Sequence, residues 1–278
     1  MWLTKLLIFS TVLAAQVPGG RGSFGSELIR QATQLDLEGR GADARQLLQK
    51  AIDSAATPAA TANAQRAMAM SWAFDGNCQK TIEYEQRIID YWASQENDQP
   101  GNAYYQQGEM ADEAARVCID SGDLAAAAQW YEKGHDLGLK EPHISSDRKA
   151  LWDFRWEHAQ ARLAARRGNR AEAQKHVAAA LAALEKMSDL RAQQEPFFPY
   201  LTGYVAFYLG DLKNALADLE KAQQDAFIQC LIGQVYEKLS DKNKAMEYYR
   251  KAAGTRGHNP PAAYAVPSAK KKLGLAGL

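Results

Sequence analysis

The side chains with which this chain could do chemistry are its histidines, cysteines and paired carboxylates, and their spacing limits what they can do. The histidines are His135, His143, His158, His176 and His258. None stands in an H-E-x-x-H pair, which would set two imidazoles over a zinc ion on one helical face. Glu172 and His176 are one helical turn apart, but such pairs are common on helix surfaces and nothing indicates a third ligand. No G-x-x-x-x-G-K-[ST] phosphate loop and no G-x-S-x-G nucleophile elbow occurs. Gly20-x-Gly22-x-x-Gly25 matches the dinucleotide fingerprint by letters only, because no strand precedes it. Three cysteines, Cys78, Cys118 and Cys230, make no zinc site and leave one over if two pair. The expectation is a protein that is not an enzyme, with no catalytic residue, no cofactor and no metal.

Charge narrows the partners. The 278 residues carry 33 Lys plus Arg against 33 Asp plus Glu, a net charge of zero. Phosphate binding needs a basic surplus, so nucleic acid is not expected as the main partner. The first residues read as a secretory leader. Lys5 supplies the positive end, Leu6-Leu7-Ile8-Phe9 through Leu13 the apolar run, and Ala14-Ala15 the small residues for cleavage. That run is too short for a comfortable membrane span. A signal peptide over 1–18 is therefore expected, then a flexible lead-in over 19–25. The expected location is outside the cytoplasm, in a bacterial periplasm or the extracellular space, with membrane contact only if the leader stays uncleaved.

Beyond the leader the pattern is helical throughout, and the stretch Tyr200 to Ala252 writes one helix–turn–helix twice. The second copy has Ile232-Gly233-x-x-Tyr236, Ala245-x-x-x-Tyr249 and Ala252; the first has Thr202-Gly203, Gly210-Asp211, Ala215-x-x-x-Leu219 and Ala222. Glycine on the first helix lets it approach the second closely, and the large residues fill the space between consecutive hairpins. This order of small and large residues resembles the tetratricopeptide repeat (TPR), in which stacked hairpins bury together an apolar face that one hairpin cannot bury alone. The resemblance implies an all-α fold, a right-handed superhelical solenoid of about six hairpins over 26–253.

The earlier copies are less regular. Gly39 breaks the first hairpin, with Ala44, Leu48 and Ala51 on its second helix. Ala69 and Trp72, then Gly76, then Thr81, Glu85 and Ile88 make the second hairpin, ended by the polar loop Ser94 to Gly101. Ala115 and Cys118, Gly122-Asp123, and Ala127-x-x-x-Tyr131 make the third, and Gly138 and Pro142 stop its last helix. The fourth runs from Ser146 through Gly168 and Ala173 to Met187. The equivalent small position falls at Ala44, Thr81, Ala127, Ala173, Ala215 and Ala245, at separations of 37, 46, 46, 42 and 30. The ideal repeat is about 34 residues, so the middle hairpins should have longer helices or connections. The tail, 254–278, resembles the ends of some exported bacterial TPR proteins and is expected to cap the last hairpin. Its prolines should forbid helix up to Pro267, leaving a short helix over Ser268 to Leu273, and its lysine run should be a solvated face.

The resemblance also implies a binding groove. In TPR proteins the first helix of each hairpin lines the concave face, with the second, fifth, ninth, twelfth and thirteenth positions facing the ligand. Carried over, these are Glu109, Asp112, Arg116 and Asp120 in the third hairpin, and Arg155, His158, Arg162 and Arg166 in the fourth. The fifth supplies Phe197, Tyr200, Tyr204, Phe207 and Tyr208. A basic strip would lie beside an aromatic one, and tyrosine and arginine are enriched at binding hot spots. The reading is an adaptor, scaffold or assembly factor that binds another protein or peptide in this groove, with Tyr204 as an anchor. Two alternatives stay open: a small molecule or glycan in the groove, or a structural, self-associating module. Cys78 starts the second helix of one hairpin and Cys118 ends the first helix of the next, so both lie at one end of the solenoid. In an oxidising compartment they are expected to form a disulfide, with Cys230 a buried small hydrophobe.

Overall fold

The computed structural model describes residues 21–275, with side chains from Gly25 on; the leader expected over 1–18 lies outside the described residues. The described residues form helices only. They pair as α1 (Arg21–Glu38) with α2 (Gly41–Asp53), α3 (Pro58–Phe74) with α4 (Cys78–Ala93), and α5 (Pro100–Ser121) with α6 (Leu124–Gly138). Then come α7 (Ser146–Arg166) with α8 (Arg170–Glu185), a single turn α9 (Arg191–Gln194), α10 (Phe197–Tyr208) with α11 (Leu212–Leu219), and α12 (Ala226–Lys238) with α13 (Lys242–Ala253). A last helix, α14 (Pro260–Lys272), has no hairpin partner.

One local device makes the hairpins. At each turn a single residue adopts positive φ: Gly39, Gly76, Gly122, Gly168, Gly210 and, in the sixth, Ser240. In five of the six turns the next residue caps the second helix with its side chain. Asn77 accepts from the Lys80 N–H, Asp123 from Ala126, Asn169 from Glu172, Asp211 from Asn214 and Asp241 from Lys244. The left-handed residue ends one helix and the capping oxygen satisfies an orphan N–H of the next. Close approach along the pair then needs glycine at two recognised places. A Cβ on Gly203 would come within 2.7 Å of Leu219, and one on Gly233 within 2.7 Å of Tyr249. The third hairpin has the same feature in another form. Gly108 and Gly138 form a slot for the Trp152 ring, whose residue is 0% exposed, and Gly134 makes room for the Asp112 carboxylate. α6 ends at Gly138 as expected, and glycine is needed there as well because a Cβ would run into the Trp152 ring of the next hairpin.

Two expectations about the ends are corrected. The lead-in over 19–25 is not separate from the repeats: from Arg21 on it is the first part of α1, since a formed helix extends at the gain of one hydrogen bond per residue. The tail is helical from Pro260, with Pro267 inside the helix. Pro260 and Pro261 occupy the first turn, where no intrahelical N–H is needed. Only Pro267 removes a helix bond, at a cost of about 3 kcal/mol. Burial of Ala262, Ala263, Ala265, Val266 and Ala269 offsets it.

Nor does α14 only cap the last hairpin. It packs on α12 and α13 and also reaches back to α3 and α5, so it lies along the inner face of the solenoid. His258, just before it, donates from Nε2 to the Asp36 carboxylate at 2.9 Å and stacks on Phe74 with ring centroids 5.2 Å apart. Lys270 Nζ donates to the Leu37 carbonyl at 2.6 Å, and Lys272 pairs with Glu237 at 2.7 Å. Two of the three lysines in the run are therefore engaged rather than free surface charges: Lys270 ties the two ends of the chain together and Lys272 ties α14 to α12.

Candidate functional site

The inner face is built from first helices. Glu109, Asp112, Glu113 and Arg116 come from α5, Phe154, Arg155, His158 and Arg162 from α7, and Phe197 and Tyr200 from α10. Residues three, four and seven apart share a helical face, so each helix presents its charged or aromatic row to the same space. Tyr131 of α6, Gln194 and the Pro260-Pro261 end of α14 complete the wall of a cavity of about 350 Å³.

The basic and aromatic rows do meet, but against each other. Arg162 donates to the Tyr131 hydroxyl at 2.7 Å and the Tyr200 hydroxyl at 3.3 Å. Arg166 donates to the Tyr204 hydroxyl at 3.4 Å and lies 4.8 Å from the centre of the Tyr208 ring. Arg116 sits 4.6 Å over Phe227 of α12, in the sixth hairpin, and 3.5 Å from Asp120. Arg155 pairs with Glu109 at 2.5 Å and donates to Tyr105 at 3.3 Å.

This corrects the expected groove in part. Tyr200, Tyr204, His158 and Arg162 are buried, with Tyr204 at 0% exposure. The physical reason is twofold. Successive first helices pack closely enough that Tyr200 and Tyr204 fill the seam against Phe227, and α14 occupies the concave face that an outside ligand would need. Arg116, Arg155, Arg166 and Tyr208 stay half-buried, and Phe197 is 42% exposed.

Burial sets the charge states. Burial first, then the Arg162 and Arg116 guanidinium groups, hold His158 well below its ordinary value, so it is neutral at physiological pH. Burial raises Asp112 to about 7; Arg155 and Arg162 oppose this, while Glu109 and Glu113 add to it. Burial pushes the Tyr131 phenol up to about 12, so it remains a hydroxyl. Glu113 pairs with Arg66 of α3.

Glu85, expected only as a repeat position, is the most exposed to this logic. It is 0% exposed and neither carboxylate oxygen has a hydrogen-bond partner. Burial, with Glu113 adding and Arg66 opposing, pushes it well above 4.5. The folded state then holds a proton that the unfolded state releases, so Glu85 lowers stability as pH rises above the ordinary carboxylate range. Glu85→Met removes that slope. It should raise the unfolding free energy by about 1–3 kcal/mol at pH 4, the cost of an unsatisfied buried polar group, and by more at pH 8, where the proton uptake on folding is also removed. Urea midpoints of both proteins at the two pH values check this.

Other sequence candidates resolve differently. Glu172 and His176 do associate, at 2.9 Å, and Glu157 of α7 takes the other imidazole nitrogen at 2.5 Å. The spacing did not reveal this second carboxylate, and the trio pins α8 to α7. Among the described residues no cluster of three or more metal-ligating side chains is found. Cys78 and Cys118 are joined by a disulfide with Cα atoms 4.7 Å apart, and Cys230 is free and buried. The Trp152 slot is made by Gly108 and Gly138 on two different helices, so local spacing carries no signal for it.

Residues 228–257, which cover most of α12 and all of α13, match the family model of the tetratricopeptide repeat. The last hairpin of the solenoid thus carries a TPR. No curated protein matches the chain. Among solved structures, the chain is similar to PilF of Pseudomonas aeruginosa, with 12% identity over 84% of this chain and 92% of that one, at a TM-score of 0.41. It is also similar to a tetratricopeptide repeat protein of Parabacteroides merdae ATCC 43184, with 15% identity over 89% and 99% and a TM-score of 0.38.

Proposed function

We propose that this TPR-bearing solenoid is an exported adaptor or assembly factor that binds another polypeptide along the rim of its concave face. A TPR in a hairpin array supports a protein-interaction role in general. The observation that carries the rim reading is Phe197. Its helical neighbours Tyr200 and Tyr204 are buried, yet this large apolar ring is 42% exposed and lines the same cavity as Arg155. Partner contact runs over Phe197 and Arg155 and on to the half-buried Arg166 and Tyr208. Aromatic anchors supply most of the affinity and rim charges mainly the on-rate.

The test uses the parent, Phe197→Ala and Leu181→Ala as baits for the envelope fraction. Leu181 is a similarly exposed apolar side chain on α8. A partner held by the parent and by Leu181→Ala should bind Phe197→Ala more weakly by about 2 kcal/mol, the size of a hot-spot truncation. Equal capture by all three defeats the rim reading.

Export is supported by the pattern around Lys5 to Ala15 and by the Cys78–Cys118 disulfide, because disulfides persist outside the reducing cytosol. The mature chain should lack roughly its first 15–20 residues. N-terminal sequencing of the protein recovered from the envelope checks this, and an intact Met1 in the cytosol refutes it.

A further inference from the structure

The cavity between α5, α7 and α10 holds two side chains of opposite charge, Asp112 and Arg162, that feel each other's charge but make no contact ion pair. Its other charged side chains are engaged: Arg155 with Glu109, Glu113 with Arg66, and Arg116 with Asp120. Arg162 is 5% exposed and bonds only to tyrosine hydroxyls, and its Nε has no hydrogen-bond partner. Asp112, on the facing helix, has neither ion pair nor hydrogen bond among the described residues. A buried charge without a partner in contact is costly, and the cost falls when a ligand brings the opposite charge into contact. A guanidinium with a free N–H asks for a carboxylate, and a lone carboxylate asks for an ammonium group. Tyr131, Phe154 and Tyr200 give the same cavity aromatic walls. At about 350 Å³ it lies at the small end of ligand pockets, which span roughly 300–1,000 Å³.

We propose that this cavity binds a free zwitterion of amino-acid size, its carboxylate on Arg162, its ammonium group on Asp112 and an apolar or aromatic side chain against the tyrosines. This goes beyond the polypeptide reading and does not depend on it. A polypeptide carries its amine and carboxylate at opposite ends and cannot present both within one small cavity. The Pro260-Pro261 end of α14 closes one side of the cavity, which favours a compact ligand over a through-running chain.

The pH dependence follows from the groups that face Asp112. These are Glu109 and Glu113 on its own helix, Arg155 and Arg162 from α7, and Tyr131 from α6. With Asp112 near 7, its ionised fraction rises about tenfold from pH 6 to pH 8. Tyr131 stays neutral over that range, and the arginines stay charged.

The full chain is titrated with each of the twenty free amino acids, first by thermal shift and then by calorimetry. At least one with an apolar or aromatic side chain should bind at one per chain. Its amide and its N-acetyl derivative should each bind at least about tenfold more weakly, since each loses one charge-assisted contact. Asp112→Asn should abolish the preference for the amino acid over its des-amino acid while still binding both. In the parent, affinity should be about tenfold weaker at pH 6 than at pH 8, a readout that holds if the variant does not fold. The proposal is overturned if no amino acid binds, if the amide and N-acetyl forms bind as tightly, or if the pH profile is flat. Loss of partner capture by Phe197→Ala alone leaves it standing.

Discussion

Tyr204→Ala should destabilise the protein by about 4 kcal/mol, in the range of large aromatic truncations in cores, without acting as a selective binding mutation. Tyr204 is 0% exposed. Its ring stacks on Phe227 with centroids 6.3 Å apart and lies 4.5 Å from Tyr208. It therefore belongs to the seam between the fifth and sixth hairpins, and its removal leaves a cavity there. In a solenoid each unit is stabilised by its neighbours, so the damage should appear as weaker docking of α12 and α13. Urea unfolding gives the magnitude. Hydrogen exchange should show protection lost first in α10 and α12. A variant with parental stability and weakened partner binding would restore the tyrosine to a recognition role.

His258→Ala should cost about 3 kcal/mol, although it changes one side chain in a connection between helices. Asp36 has 0% of its side chain exposed and is held by His258 at 2.9 Å and by the Ser71 hydroxyl at 2.8 Å. Without the imidazole the carboxylate keeps only the hydroxyl. Losing a hydrogen bond to a buried charged group costs about 1.5–3 kcal/mol, toward the upper end here because Asp36 is fully buried. The stacking on Phe74 is lost as well. Because the contact joins residues 222 positions apart, the effect should spread. Amide exchange should quicken in α14 and also in α1 and α3. Limited proteolysis should cut the connection between α13 and α14 sooner than in the parent. Asp36→Asn, which keeps the shape and hydrogen-bonding capacity but removes the charge, should cost less. Equal exchange in α14 of parent and His258→Ala would show that the apolar face of α14, and not this tether, holds the tail in place.

The two variants separate what local sequence determined from what it did not. The hairpin is legible residue by residue. Gly210-Asp211 sets a left-handed residue before a capping carboxylate, and Gly203 and Gly233 clear space for Leu219 and Tyr249. These are interactions within about one hairpin, so composition and spacing suffice to read them. Ser240 shows the limit even there: it holds the left-handed position that glycine holds in the other five turns, because the flanking helices fix that geometry. Helical spacing also put Arg162 and Arg166 on one face and Tyr200, Tyr204 and Tyr208 on another.

Spacing could not say whether those faces meet solvent or one another. That depends on how far each hairpin rotates on the one before it, a sum of small packing angles that no local pattern encodes. The structure turns the rows inward, so Arg162 binds tyrosine hydroxyls and Tyr204 fills a core. The tail is the clearest case. Prolines at 260, 261 and 267 read locally as breaks, yet two fall in a first turn and the third lies in a helix buried on several sides. Its partners, Asp36 and Leu37, are more than 200 residues away in the chain. The sequence by itself determined the repeats, their turns and their close contacts, because those energies are local. Only the tertiary structure decided that α14 returns along the inner face and that a small charged cavity remains beside it, because both follow from where the superhelix brings its two ends.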